Sequence, residues 1–306
     1  MITLDPKELS TPDLQRTLQF AVGPRPIALV STVDREGRPN LSPFSFFNVF
    51  SANPPILVFS PARRVRNNTT KHTLENVLAT RECVIHSVNF DITAQVSLSS
   101  TEYAEGVNEF VKAGFTEVPS ETVTPPRAAE APVAMECVVN DVISLGDEGG
   151  AGNLVICQVQ KIHISTDVLD SEGRMDQAKL DLVARLGGDW YTRANENSLF
   201  EVEKPLKTLG VGFDALPRGL KQSKILTGND LGQLANVEVV PPMDSSDEIM
   251  DHPRIKAILE STKDAIERRE LLQVYAKELI EKDKINKAWK VLLIDGLSSQ
   301  NSIQNI

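Results

Sequence analysis

Two strand–turn–strand signatures restrict this chain more than any other feature. PIALVST (26–32) is an apolar run closed by the turn sequence Asp34-Arg35-Glu36-Gly37, and the next run, PNLSPF, starts at Pro39. VAMECVVNDVISL (133–145) and NLVICQVQKIHIS (153–165) flank Gly146-Asp147-Glu148-Gly149-Gly150 in the same way. ILVFS (56–60) and ECVIHSV (82–88) add two more strands. Helical patterns are fewer here: TLENVLATRE from Thr73 and STEYAEGVNEFVKAGF at 100–115. Many short strands with few helices between them point to an antiparallel barrel rather than a parallel sheet.

The character changes near Lys204-Pro205. Residues 206–242 are rich in Gly and Pro and end in Val239-Val240-Pro241-Pro242. Beyond the polar stretch Asp244 to Glu248, Asp251 before Pro253 marks a helix start, and Ile255, Ile258, Leu259 and Ile266 recur at helical spacing. LLQVYAKELIEKD and NKAWKVLLI continue this style, and SSQNSIQNI reads as a frayed tail. The expected division is therefore 1–204 for the barrel and 205–306 for a helical extension that packs through an amphipathic face.

At 306 residues the chain can bury a sizeable core without staples. A net charge of −10 repels nucleic acid backbones, so an anionic ligand needs a local basic pocket. No run approaches eighteen apolar residues, and MITLDPKELSTPDLQ lacks the parts of a secretory signal. A cytoplasmic protein with no membrane span and no nucleic acid partner is expected. Cys83, Cys137 and Cys157 each lie in an apolar run and read as buried small hydrophobes, neither a disulfide set nor a metal site.

Familiar catalytic motifs are missing. GVGFDA (210–215) fits a relaxed dinucleotide fingerprint, but Pro217 and Gly219 interrupt the helix it needs, so it reads as a turn. No G-x4-G-K-[ST], H-E-x-x-H, C-x-x-C or G-x-S-x-G occurs. The histidines at 72, 86, 163 and 252 have no metal-pair spacing; His86 reads as packed in its strand and His252 as part of a helix start.

Two neighbouring segments carry more chemistry. LSPFSFFNVFSANPP (41–55) sets Phe44, Phe46, Phe47 and Phe50 around Ser45, Asn48 and Ser51, too polar for a sealed core and too aromatic for an ordinary loop. FSPARRVRNNTTKHTLENV (59–77) ends a strand at Ser60, supplies Arg63, Arg64, Arg66 and Lys71, and begins a helix at about Thr73. Cations and hydroxyls at a helix start suit a phosphate, although a solvated basic loop with Thr73 as N-cap fits the same residues. Together the segments suit a flat aromatic ligand carrying a phosphate.

From Arg25 to Tyr191 the chain resembles the flavin reductase-like family, whose members include reductase components of two-component monooxygenases. The resemblance rests on RPIALVSTVDREGRPNLSPFSFFNVFSANPPILVFS, KHTLENVLATRECVIHSV, EFVKAGFT, APVAMECVV and NLVICQVQKIHI in that order. It implies a mainly β, Greek-key split barrel that binds FMN and forms homodimers, with peripheral helices. It points to Arg25, Pro26, Ser31 and Thr32 near the flavin, and to Ser45, Phe46, Phe47 and Asn48 along the isoalloxazine. Ser60, Lys71 and Thr73 are implied at the phosphate, with His72 departing from the family's acidic centre of that triplet. It also implies a place for His163 close to the nicotinamide or the flavin, although a half-buried strand histidine fits that position equally, and a place for Tyr191 near the ring from the C-terminal side of the barrel.

The implied activity is hydride transfer from NADH or NADPH to flavin, with a monooxygenase as a further partner. Such chemistry needs closely stacked rings and exclusion of water, which accounts for the absence of an acid–base or nucleophile motif. Two other readings stand beside it: a flavin carrier or sensor without NAD(P)H turnover, and a structural protein in which residues 41–55 form a dimer patch.

Overall fold

The computed structural model describes residues 1–202, 204–206, 209–243 and 247–300, the side chains of 296–300 apart. The chain divides into two compact units, Met1–Phe200 and Glu201–Ile306. The first contains β1 (Arg25–Pro26), β2 (Ala28–Val33), β3 (Pro39–Phe44), β4 (Phe47–Ala52), β5 (Pro55–Phe59) and β6 (Glu82–Ser87). It continues with β7 (Glu117–Val118), β8 (Arg127–Ala128), β9 (Val133–Ser144), β10 (Asn153–Ile164), β11 (Val183–Arg185) and β12 (Tyr191–Arg193). Its helices are α1 (Thr11–Ala21), α2 (His72–Thr80), α3 (Thr93–Ser99), α4 (Glu109–Ala113) and α5 (Gln177–Leu180).

Seven strands form one antiparallel sheet in the order β3-β2-β6-β9-β10-β5-β4, and both expected hairpins, β2–β3 and β9–β10, are present. The two edge strands, β3 and β4, are consecutive in sequence and separated only by Ser45-Phe46. A two-residue link cannot span an open sheet of this width, so the sheet curls until its edges meet. The Phe44 and Phe59 rings, from β3 and β5, accordingly lie 5.3 Å apart. This is a split barrel.

Strand alternation sorts the side chains. Ala28 and Val30, Leu57 and Phe59, Cys83 and Ile85, Cys137 and Val139, and Val155 and Cys157 share one interior cluster, spaced by two as a pleated strand requires. The three cysteines are free and buried, and although distant in sequence the Cys83 and Cys157 sulfurs approach to 3.8 Å. Leu74 and Val77 of α2 join the same cluster, while Ile27, Leu29 and Leu41 pack with Val96, Phe110 and Ala113 from α3 and α4. His86 is fully buried in β6, its Nδ1 donating to Leu29 O and its Nε2 accepting from Ala128 N. Burial holds this imidazole neutral, its pKa lowered to about 4.

The helix expected at 100–115 is shorter. Gly106 adopts a φ of +79°, and Asn108 caps the brief α4 by accepting from Phe110 N at 2.9 Å, so the residues before it are turns.

The second unit contains α6 (Arg218–Lys221), α7 (Gly228–Ala235), α8 (Pro253–Ser261), α9 (Ala265–Ile280) and α10 (Ile285–Gln300). Leu234, Ile255, Leu272, Trp289 and Ile294 fill its core, where Trp289 Nε1 donates to Leu234 O at 2.9 Å. His252, rather than Asp251, caps α8 by accepting from Arg254 N. Among the described residues no strand immediately precedes GVGFDA, and Gly212 sits at φ +83° just before a turn at Asp214-Ala215. Of the tail expected to fray, 298–300 continue α10, and 301–306 lie outside the described residues.

Candidate functional site

The group of interest lies where β3 passes into β4 and β5 ends. Ser60 N donates to Phe46 O at 2.8 Å, fixing the end of β5 against the Ser45-Phe46 link. Ser60 Oγ accepts from Asn153 N at 3.1 Å, so β10 starts at the same place. Phe46 is 40% exposed, and Asn48 is exposed on β4, where Val49 and Phe50 also face outward at 65% and 68%. An edge strand this apolar and this exposed marks a surface that something covers.

The basic loop between β5 and α2 is mostly self-neutralised. Arg63 donates to Asn68 Oδ1 and O, Arg64 pairs with Glu102 and donates to Thr69 and Thr70, and Arg66 pairs with Glu102. Lys71 differs. It is half-buried, its ammonium stands 5.7 Å from the centre of the Phe44 ring, and among the described residues that ammonium has neither hydrogen bond nor ion pair. Burial, helped by the Arg64 charge, lowers its pKa below the ordinary lysine value. Lys71 is also the N-cap position of α2 and supplies no side-chain cap, so the first amides of that helix keep their donors. Asn40, Ser42, Arg64, His72 and Thr73 line a crevice with it, of about 20 Å³.

Several expected contacts have their polar groups committed elsewhere. Ser31 and Thr32 point to opposite faces of β2: Ser31 Oγ donates to Pro126 O at 2.5 Å, and Thr32 Oγ1 accepts from Asn76 Nδ2 at 3.0 Å. Thr73 is not a cap; it is the second residue of α2, and its hydroxyl donates to Asn40 Oδ1 at 2.8 Å. Thr32, Asn40, Thr73 and Asn76 thus form one buried network that seats α2 on β2 and β3. Arg25 is buried, and its guanidinium donates to Gln19 O, Val22 O and Leu186 O, with a longer contact of 3.5 Å to Ser45 Oγ. It closes the C-terminus of α1, where a cation is favoured, and reaches the Ser45 link from behind.

Pro26 and Phe47 meet across a second, larger opening. A cavity of about 350 Å³ is lined by them together with Ile27, Val88, Val183 and Leu199, and by the hydroxyls of Ser87 and Thr192. Tyr191 lies on β12, two strands from β1, with the Arg185 guanidinium 4.5 Å from its ring centre.

His163 stands apart. It lies ten residues along β10 from Asn153, roughly 30 Å of strand, and so far from Ser60. Its Nε2 is 2.7 Å from Glu136 Oε1, and Glu136 also accepts from Glu121 N, Thr122 N and Thr122 Oγ1. Burial works to raise the Glu136 pKa, but these bonds outweigh it and hold the carboxyl down at about 2. Sequence reasoning passed over Glu136, although a lone acid inside VAMECVV is a sign of a buried, paired charge. It likewise missed Asn40 and Asn76.

A family model, the flavin reductase like domain, matches residues 22–179, more than half of the chain. The chain belongs to the flavin reductase-like family. An uncharacterized protein of Halalkalibacterium halodurans is 37% identical over 204 residues, 66% of this chain and 96% of its own length. Among solved structures, nitrilotriacetate monooxygenase component B from Bacillus cereus is 30% identical, with a TM-score of 0.61 over 66% of this chain and 98% of its own. The 2-nitrobenzoate 2-nitroreductase NbaA of Pseudomonas fluorescens is 26% identical, with a TM-score of 0.58, covering 68% of this chain and all of its own. Family membership and the split barrel thus agree, and the family match falls wholly within the first unit.

Proposed function

We propose that this protein binds FMN and acts as an oxidoreductase that passes hydride from NADH or NADPH to the flavin. The observation that carries the reading is Lys71, a half-buried cation left without a counter-charge at an uncapped helix start. An unpaired charge costs stability unless a ligand completes it, and a phosphate is the natural complement to an ammonium beside free helix amides. Arg64, a second cation, lines the same narrow crevice, where it is paired with Glu102.

The remaining roles follow from position. Ser60 and the Ser45-Phe46 link hold the polar edge of the ligand, with Asn48 beside them. Pro26 and Phe47 offer apolar walls in a cavity large enough for a ring system, and Tyr191 supports the sheet that forms its far side. Thr32 and Thr73 act through Asn40 as positioning residues, and Arg25 positions Ser45. His163 braces Glu136 and has no part in hydride transfer on this reading. When bound, FMN supplies the hydride-accepting chemistry, so the protein's own work is to align two rings and keep water out.

The exposed Val49 and Phe50 on β4 favour a homodimer in which this edge is covered. No described helix is long and apolar enough to cross a membrane, which fits a cytoplasmic enzyme that hands reduced flavin to a monooxygenase. Flavin fluorescence titration tests the first half of the reading: FMN is expected to be quenched on binding, and absence of binding overturns it. NAD(P)H oxidation with and without added flavin tests the second, and FMN that binds but stays oxidised would make the protein a carrier.

A further inference from the structure

The C-terminal unit has a cavity of its own, about 340 Å³, between α6 and the residue before it, one side of α9 and the middle of α10. That is within the range of small-molecule sites, roughly 300–1,000 Å³. Leu220, Leu272, Leu292 and Leu293 make most of it apolar, and Arg269, Gln273 and Asp295 give it one polar end.

The polar end has an unmet donor. Gln273 is 4% exposed, and its Oε1 accepts from Ser223 Oγ at 2.6 Å. Ser223 Oγ itself accepts from Ile225 N and Leu226 N, so its hydroxyl must donate to Gln273. This fixes the amide orientation: the oxygen faces Ser223, and the Gln273 nitrogen is left with two protons and no partner among the described residues. Beside it, Arg268 and Arg269 both pair with Asp295, so two guanidinium groups share one carboxylate. Of the two, Arg269 lines the cavity and Arg268 does not. An amide donor without a protein partner, beside two guanidinium groups that share one carboxylate, suits an anionic acceptor.

We propose that this cavity binds a small amphipathic carboxylate, its apolar body among the four leucines and its head at Gln273 and Arg269. The site is independent of the flavin reading, since every residue in it belongs to the second unit.

Isothermal titration of the full chain with octanoate tests this. Saturable binding is expected, with octanamide and acetate each at least about tenfold weaker, because one lacks the charge and the other the apolar body. Arg269→Gln, at a half-exposed position, and Gln273→Glu should each weaken octanoate about tenfold or more. Leu292→Trp should abolish binding by filling the cavity. Circular dichroism melts identify any variant that fails to fold, and Arg269→Gln then decides. FMN titrations on the same samples should be unchanged. The proposal is overturned if octanoate gives no saturable heat, or if octanamide binds equally. It also fails if Arg269→Gln binds like the parent, if FMN competes with octanoate, or if binding emerges only after residues 301–306 are removed.

Discussion

Replacing Lys71 isolates the phosphate end of the proposed flavin site. Lys71→Met keeps an apolar stem over the Phe44 ring and removes only the charge, while Lys71→Ala removes both. A hydrogen bond to a charged group contributes about 1.5–3 kcal/mol, which corresponds to roughly 10- to 150-fold in Kd. FMN should therefore weaken by that factor in Lys71→Met, and riboflavin, which lacks the phosphate, by less than about twofold. Fluorescence titrations of the two flavins read the difference directly. The free protein should behave in the opposite sense. Burial lowers the Lys71 pKa from 10.5, so in the fold the charged form is disfavoured, and the unfolded chain binds more protons in the window below 10.5. Stability of the parent thus rises with pH through that window, and Lys71→Met should be at least as stable as the parent at neutral pH, an advantage that disappears above 10.5. Equal weakening of FMN and riboflavin, or a Lys71→Met protein clearly less stable than the parent, would refute the assignment of an uncompensated cation awaiting phosphate.

Glu136 should govern acid sensitivity. Its folded pKa of about 2 lies below the ordinary 4.5, so its contribution is complete above 4.5 and is lost as pH falls toward 2. That contribution is on the order of 3 kcal/mol, and denaturant melts of Glu136→Gln should show it missing at neutral pH, with FMN affinity unchanged. On β4, Phe50→Lys should shift the protein toward monomer in size-exclusion and light-scattering measurements, because a charge replaces an apolar residue on the exposed edge. An unchanged mass would remove β4 from the interface.

How far the sequence speaks depends on whether a signal is local. The hairpins were legible because turn residues and strand alternation lie within a dozen positions of each other, as in the paired β9 and β10. Closure of the barrel was not written in any one segment; it follows from the two residues, Ser45 and Phe46, that join the sheet's opposite edges. Lys71 was visible as a cation near a helix start, but its lack of a partner was not, because that depends on Glu102, thirty-one positions away, taking Arg64 and Arg66 instead. Thr73 and Ser31 show the converse: a hydroxyl in the right motif can donate to Asn40 or Pro126, partners that only the tertiary fold supplies. The departure at His72 leaves Lys71 and Thr73 where the motif has them, at the start of α2.

The central claim is that this chain reduces flavin. Under anaerobic conditions, protein loaded with FMN should lose the visible flavin band on addition of NADH or NADPH, far faster than the same concentration of free FMN. A band that persists with both nucleotides, in a protein that demonstrably binds FMN, would contradict it.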